Sequence, residues 1–222
     1  MSRQFIWWNI IIFRKDGKYQ ITQVGIKKFV GKNIIHAGVW KKNDEHMIYN
    51  VAYRDGKAGK TMVKRFSVTS IVRDREYDVT SGTPASSVTY FTANPNSESE
   101  VVTVNLHGLA KARIKTFDFD FGELAIKGRA SKGNILSKHP VRKIVQKSVG
   151  DSTLGGRDIW LDENIGRLNV DKQGRYLGSF NTDDAILVIH DDGSYELADF
   201  ELTNRFKLSE ISLIEKFNSD RF

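Results

Sequence analysis

Apolar and polar residues alternate with a period of two along most of this chain. In KTFDFDF, Phe117, Phe119 and Phe121 fall on one side and Asp118 and Asp120 on the other, which is strand spacing, because successive side chains of a strand face opposite ways. Only ELTNRFKLSEISLIEKF admits a helical reading, and its Ile211, Leu213 and Phe217 fit a last strand equally well. Three prolines and frequent Gly, Asn, Asp and Ser turns suit an all-β chain.

The alternation is also repeated. IIIFRKDGKYQIT from Ile10 lies over ILVIHDDGSYELA from Ile186, matching Asp16-Gly17 to Asp192-Gly193, Tyr19 to Tyr195 and Ile21 to Leu197. Each copy is an apolar strand, an Asp-Gly turn where positive φ costs little, and a returning strand, so each reads as a hairpin. Looser copies surround Gly56, Gly108 and Gly166, and the five turn glycines stand about 44 residues apart on average, the spacing of propeller blades. VGKNIIHAGVW, GTPASSVTYFTA and GRASKGNILSKHPV follow the first three turns as second elements. One repeat therefore holds about four strands. The expectation is a single domain over residues 1–222, a β-propeller or β-pinwheel of about five four-stranded blades.

Charge divides the chain. Residues 1–150 hold 26 Lys and Arg against 12 Asp and Glu, net +14, whereas residues 151–222 hold 8 against 15, net −7. Segregation on this scale points the first two thirds toward a polyanion. Cysteine is absent, which removes disulfides, thiolate metal sites and cysteine nucleophiles and fits a cytoplasmic location. FIWWNIIIF is too short to span a membrane and runs into FRKDGKYQI, so it reads as a strand.

Catalytic chemistry finds little support. GKAGKT, residues 56–61, ends like a P-loop, but Arg54 stands where that motif needs glycine and a strand follows, so a turn with exposed lysines is expected. His36, His46, His107, His139 and His190 are scattered with no ligand spacing. Asp183-Asp184 and Asp191-Asp192 flank AILVIH and read as acidic turns; no nucleophile elbow occurs. Trp7, Trp8, Trp40 and Trp160 are expected in cores or blade interfaces. Neither metal nor cofactor is expected.

Basic segments recur at matching places in the repeats: KDGK with GIKKFVGK, RDGKAGKTMVKRF with VRDRE, and IKGRASKGN with SKHPVRK. Cations on successive turns would form a stripe that neutralises phosphates without reading bases. The residues expected to meet phosphate are Lys27, Lys28, Lys32, Lys57, Lys60, Lys64, Arg65, Lys127, Arg129, Lys132, Lys138, Arg142 and Lys143. AIKGRASKGNIL, residues 125–136, concentrates three of them around two glycines and could be a phosphate cradle, a hairpin turn or a strap for a nucleic-acid backbone.

YRDGKAGKTMVKRF, REYDVT, YFTANPNSESEVVTV, FDFDFGELAIKGRASKGNILSKHPVRKI and GGRDIWLD resemble the C-terminal domain of the A subunit of bacterial type IIA topoisomerases, topoisomerase IV more than gyrase. The resemblance implies a β-pinwheel that bends duplex DNA along a basic outer edge and presents a transported segment to the DNA gate, for decatenation and relaxation. It implies further partners in the rest of the A subunit and the ATPase B subunit, a nucleoid location, and an isolated domain that is monomeric and noncatalytic. Lys127 to Gly133 lies where gyrase carries its Gly-rich basic box and keeps only the cationic Lys-Gly ending, which argues against gyrase-type wrapping. Arg175-Tyr176 copies the dipeptide of the strand-cleaving tyrosine but sits in a hairpin repeat without the surrounding motif, so no catalytic role is carried over. The acidic last third is expected to limit the extent of wrapping. The rival readings are a protein-interaction propeller whose basic rim keeps it soluble and, behind it, an enzyme with a carboxylate-lined funnel.

Overall fold

The computed structural model describes residues 8–181 and 184–217. The alternating sequence forms strands throughout, and the chain divides into two compact units, Met1–Gly150 and Asp151–Phe222. Asp183 and Trp7 lie outside the described residues.

The first unit runs β1 (Asn9–Arg14), β2 (Lys18–Gln23), β3 (Ile34–Trp40), β4 (Ile48–Arg54), β5 (Thr61–Ser67), β6 (Tyr77–Asp78), β7 (Ser87–Asn94), β8 (Glu98–Leu106), β9 (Thr116–Asp120), β10 (Ile126–Lys127), β11 (Asn134–Ser137) and all but the last two residues of β12 (Val141–Ser152). The second runs β13 (Arg157–Asp162), β14 (Arg167–Asn169), β15 (Arg175–Phe180), β16 (Ile186–His190), β17 (Tyr195–Ala198) and β18 (Ile211–Lys216). Single 3-10 turns lie at Phe121–Glu123 and Leu208–Glu210, so ELTNRFKLSEISLIEKF ends in a strand.

Five small sheets result among the described residues, ordered β3-β1-β2-β6, β10-β5-β4-β7 with β11 also on β5, β12-β8-β9, β14-β13-β15 and β17-β16-β18. Each centres on a hairpin whose first strand also pairs with a later strand. The repeat read in the sequence is physical: Ile10 faces Thr22 and Ile186 faces Ala198 in the same register. A register shift also falls at equivalent points, between Phe13 and Arg14 against β3 and between Ile189 and His190 against β18. Gly17 and Gly193 both take φ +84°, and Asp16 and Asp192 each accept a hydrogen bond from the backbone amide two residues on. Gly108 differs, with no positive φ, because the chain between β8 and β9 is a longer loop than a tight turn.

The sheets do not have four strands each, because strands are exchanged. β6, which follows the second hairpin, returns to β2 of the first sheet. β10 and β11, which follow the third hairpin, return to β5 of the second. Among the described residues of the second unit the same relation shrinks to one bridge, Arg167 to Arg205. Exchange covers strands that a simple hairpin would leave open.

Within the first unit Ile11, Phe13, Tyr19, Tyr49, Val51, Tyr53 and Phe66 form one core, and Ala52, Val63, Val102, Val104, Phe121 and Ile144 a second. β4 and β5 contribute to both, which is why IYNVAY is buried at every position. The second unit packs around Ile159, Leu161, Phe180, Ile186, Val188 and Ile214. Trp40 is half-buried and donates Nε1 to the Val68 carbonyl at 2.6 Å; Trp160 packs on Tyr176 with ring centres 4.9 Å apart, and Trp8 is partly exposed.

Candidate nucleic-acid interface

The cationic loop 128–133 is the best-defined element of the basic surface. Both of its ends are clamped to one strand, since β10 runs parallel to β5, pairing Lys127 with Phe66, and β11 returns antiparallel, pairing Asn134 with Val63. The loop must therefore leave and rejoin the same strand within six residues. Gly133 makes this possible: its φ is +82°, and a Cβ there would lie 2.2 Å from the Val63 carbonyl oxygen. Ser131 closes a turn by donating its amide to the Gly128 carbonyl at 2.9 Å.

Beneath the loop lies Lys64, only 2% exposed. Its Nζ donates to the carbonyl oxygens of Arg129 at 2.9 Å and Ser131 at 3.0 Å and sits 4.7 Å from the centre of the Phe66 ring. Burial lowers its ammonium from the ordinary 10.5 to about 8. Tyr53 donates its hydroxyl to the Lys132 carbonyl at 2.6 Å. Three acceptors of the loop are thus satisfied from inside the protein.

This placement corrects two sequence expectations. Lys64 and Arg65 are interior residues and are not available to a phosphate. Arg65, 1% exposed, donates Nε to Asn50 at 3.0 Å and its terminal nitrogen to the carbonyls of Ser97 and Glu98 at 3.1 and 2.9 Å. Glu100, fully buried beside it, accepts from Asn50, Tyr90, Thr92 and Gln146. Tyr90 is pushed up by burial and by its hydrogen bond to Glu100. The physical reason is coverage: exchanged strands and two cores surround β5, so its alternation does not produce a solvent face.

The remaining candidates divide by exposure. Lys27, Lys32, Lys57, Lys60, Lys127, Lys132, Lys138, Arg142 and Lys143 are exposed. Lys28 is exposed but joined to Asp74 at 2.5 Å. Arg129 is half-buried; it donates to the Ser70 carbonyl at 3.0 Å and lies 4.5 Å over the Tyr77 ring, tying the loop to the strand exchanged into the first sheet. Lys57 and Lys60 sit in the turn between β4 and β5, where Asp55 donates its amide to the Lys60 carbonyl. GKAGKT is a strand-to-strand turn with no helix after it.

Further exposed cations occur outside the set expected from sequence: Arg73 and Arg75 before β6, and Lys111, Arg113 and Lys115 in the loop after β8. KARIK, with a cation at every second position near Gly108, is the signal that marks the second group.

The other motifs are engaged locally. His36 lies among the rings of Phe13, Tyr49 and Phe91, and burial lowers its pKa. Asp184 pairs with Lys216 at 2.6 Å, and Asp191 accepts from Ser212. Arg175 donates to Glu163 and to the Ile214 carbonyl, while the Tyr176 hydroxyl donates to Asp158. Among the described residues no group of three His, Asp or Glu side chains comes together as a metal site, and no helix is long and apolar enough to cross a membrane.

An exchanged-strand chain with basic loops is the setting in which its relatives become informative. The sequence pattern of the family described as Topoisomerase C-terminal domain, Bacteroidota, matches residues 9–149 and 167–222. The chain belongs to this family of topoisomerase C-terminal domains. Among solved structures it is similar to the C-terminal domain of DNA topoisomerase IV, with 10% identity over 96% of this chain and 80% of that one and a TM-score of 0.45. It is also similar to the DNA gyrase A C-terminal domain, with 12% identity over 95% and 83% and a TM-score of 0.33. No curated protein sequence matches the chain.

Proposed function

We propose that this chain binds and bends duplex DNA without reading its base sequence and presents the duplex to the DNA gate of a type IIA topoisomerase. Membership of the topoisomerase C-terminal family supports this reading. So does the chemistry of the first unit: its net charge of +14 is displayed largely by lysines and arginines on turns and strand ends. Such cations release counterions from the duplex when they meet it, which gives affinity without sequence information. Interactions spread over several loops offset the cost of a bend.

In this reading the domain is noncatalytic. Its partners are the remainder of the A subunit and the ATPase B subunit, and it acts in decatenation and relaxation at the nucleoid. The short loop 128–133, which lacks a full gyrase-type box, favours bending over chiral wrapping.

Exposure of the basic loops carries the proposal, and a salt series tests it. Reversing Lys127, Lys132 and Lys138 together to Glu is expected to weaken duplex binding about tenfold or more and to flatten the dependence of log K on log salt by roughly 0.9 for each phosphate that is no longer neutralised. Unchanged isotherms at every salt concentration would refute it.

A further inference from the structure

Loop 128–133 raises a question that its surface charge does not answer: why an ammonium ion is buried beneath it. A buried lysine is costly, and Lys64 contributes nothing to the exterior field that a solvated lysine would not supply better. Its hydrogen bonds suggest another role. Every described peptide bond is trans, and in a trans peptide the N–H points opposite to the C=O across the same bond. The carbonyls of Arg129 and Ser131 converge on Lys64 Nζ. The amides that share those peptide units, Ala130 N–H and Lys132 N–H, are therefore directed away from the interior at two exposed residues. The Tyr53 hydroxyl pulls the Lys132 carbonyl inward in the same way, and the amide of that unit, Gly133 N–H, is taken up by Ser131 Oγ at 3.2 Å.

We infer that Lys64 and Tyr53 are positioning residues that hold the loop carbonyls inward so that the amides of Ala130 and Lys132, flanked by the Lys127 and Lys132 side chains, form a subsite for one phosphate of a nucleic-acid backbone. The inference rests on the proposed DNA binding and adds a site within it. Two outward amides beside two lysines suit a phosphodiester oxygen, because fixed N–H dipoles donate without the ordering cost of a long side chain. Asp55, whose field reaches Lys132, is turned to Ser81 at 2.8 Å and is held below the usual carboxylate range by hydrogen bonds from Thr83 and Ser81. Gly128, exposed and with open space where a Cβ would be, leaves the approach to the loop unobstructed.

The test uses the full chain, a short duplex, and the variants Lys64→Met and Tyr53→Phe, the second of which removes a single hydroxyl and keeps the ring in the core. Both variants are expected to bind duplex about three- to tenfold more weakly with an unchanged salt slope, because neither removes a cation that meets a phosphate. In 1H–15N spectra the Ala130 and Lys132 amides are expected to shift on adding duplex to the wild type and to shift less in Tyr53→Phe. Wild-type protein that binds duplex while those two amides stay unmoved would overturn the inference and leave the proposed function standing. Wild-type protein that fails to bind duplex would remove both.

Discussion

The two units place their charged residues in opposite ways. The first, net +14, puts charge both outside, on its turns, and inside, where Lys64, Arg65, Glu98 and Glu100 are buried. The second, net −7, keeps its many acids at the surface, and among the described residues only Arg157 is a buried charge. Both are built from the same hairpin in the same register, so the fold does not force the difference. Strand exchange accounts for it. Where β10 and β11 cover β5, polar residues of that strand are sealed in and must be paired, and the pairing stiffens the loop above. Where exchange is reduced to the single bridge at Arg167, no comparable set of interior charges forms among the described residues. The contrast suggests that buried polar chemistry here serves to hold loops in shape.

The same substitution in each unit measures this most strongly. Arg65→Met leaves Asn50 and two buried carbonyls without a donor and is expected to lower stability by about 3–5 kcal/mol in denaturant unfolding. Arg175→Met, at the far end of the scale, breaks an exposed pair with Glu163 and one hydrogen bond to the Ile214 carbonyl and is expected to cost about 1–2 kcal/mol. Similar losses at both sites would erase the distinction.

Between these extremes lies a pH effect confined to the first unit. Lys64 titrates near 8 in the folded chain and near 10.5 when unfolded, so between those values the unfolded state binds more protons and stability rises with pH. By pH 9.5 the gain is about 2 kcal/mol. Tyr19, pushed up by burial to about 12, acts above pH 10, where the unfolded phenol loses its proton first and the folded state holds one more. That sign is opposite to the Lys64 effect: with the folded state the better proton binder, stability falls as pH climbs from 10 toward 12. Melting temperatures measured from pH 7 to 9.5 should show the rise in wild type and not in Lys64→Met. A parallel rise in both would assign it to other groups.

Much of the fold is legible in the sequence. The repeat of Ile10–Thr22 in Ile186–Ala198 holds down to its register, and the change of charge at residue 150 coincides with the boundary of the compact units. Strand exchange is not legible, because β6 and β10 are two-residue segments whose pairing depends on what lies beside them in space. Misplacing Lys64 and Arg65 on the surface follows from that gap. The available clue is IYNVAY: a strand apolar on both faces is covered on both, and its hairpin partner TMVKRF shares the cover.

Exposed cations of the first unit grip a duplex in this account, while the second unit and the buried lysine do not. Lysine-acetylation footprinting by mass spectrometry, with and without duplex, reads this residue by residue. The account predicts protection at Lys27, Lys57, Lys60, Lys127, Lys132, Lys138 and Lys143, none at Lys172 or Lys207, and low reactivity of Lys64 in both conditions. Protection spread evenly over both units, or concentrated at Lys172 and Lys207, would contradict it.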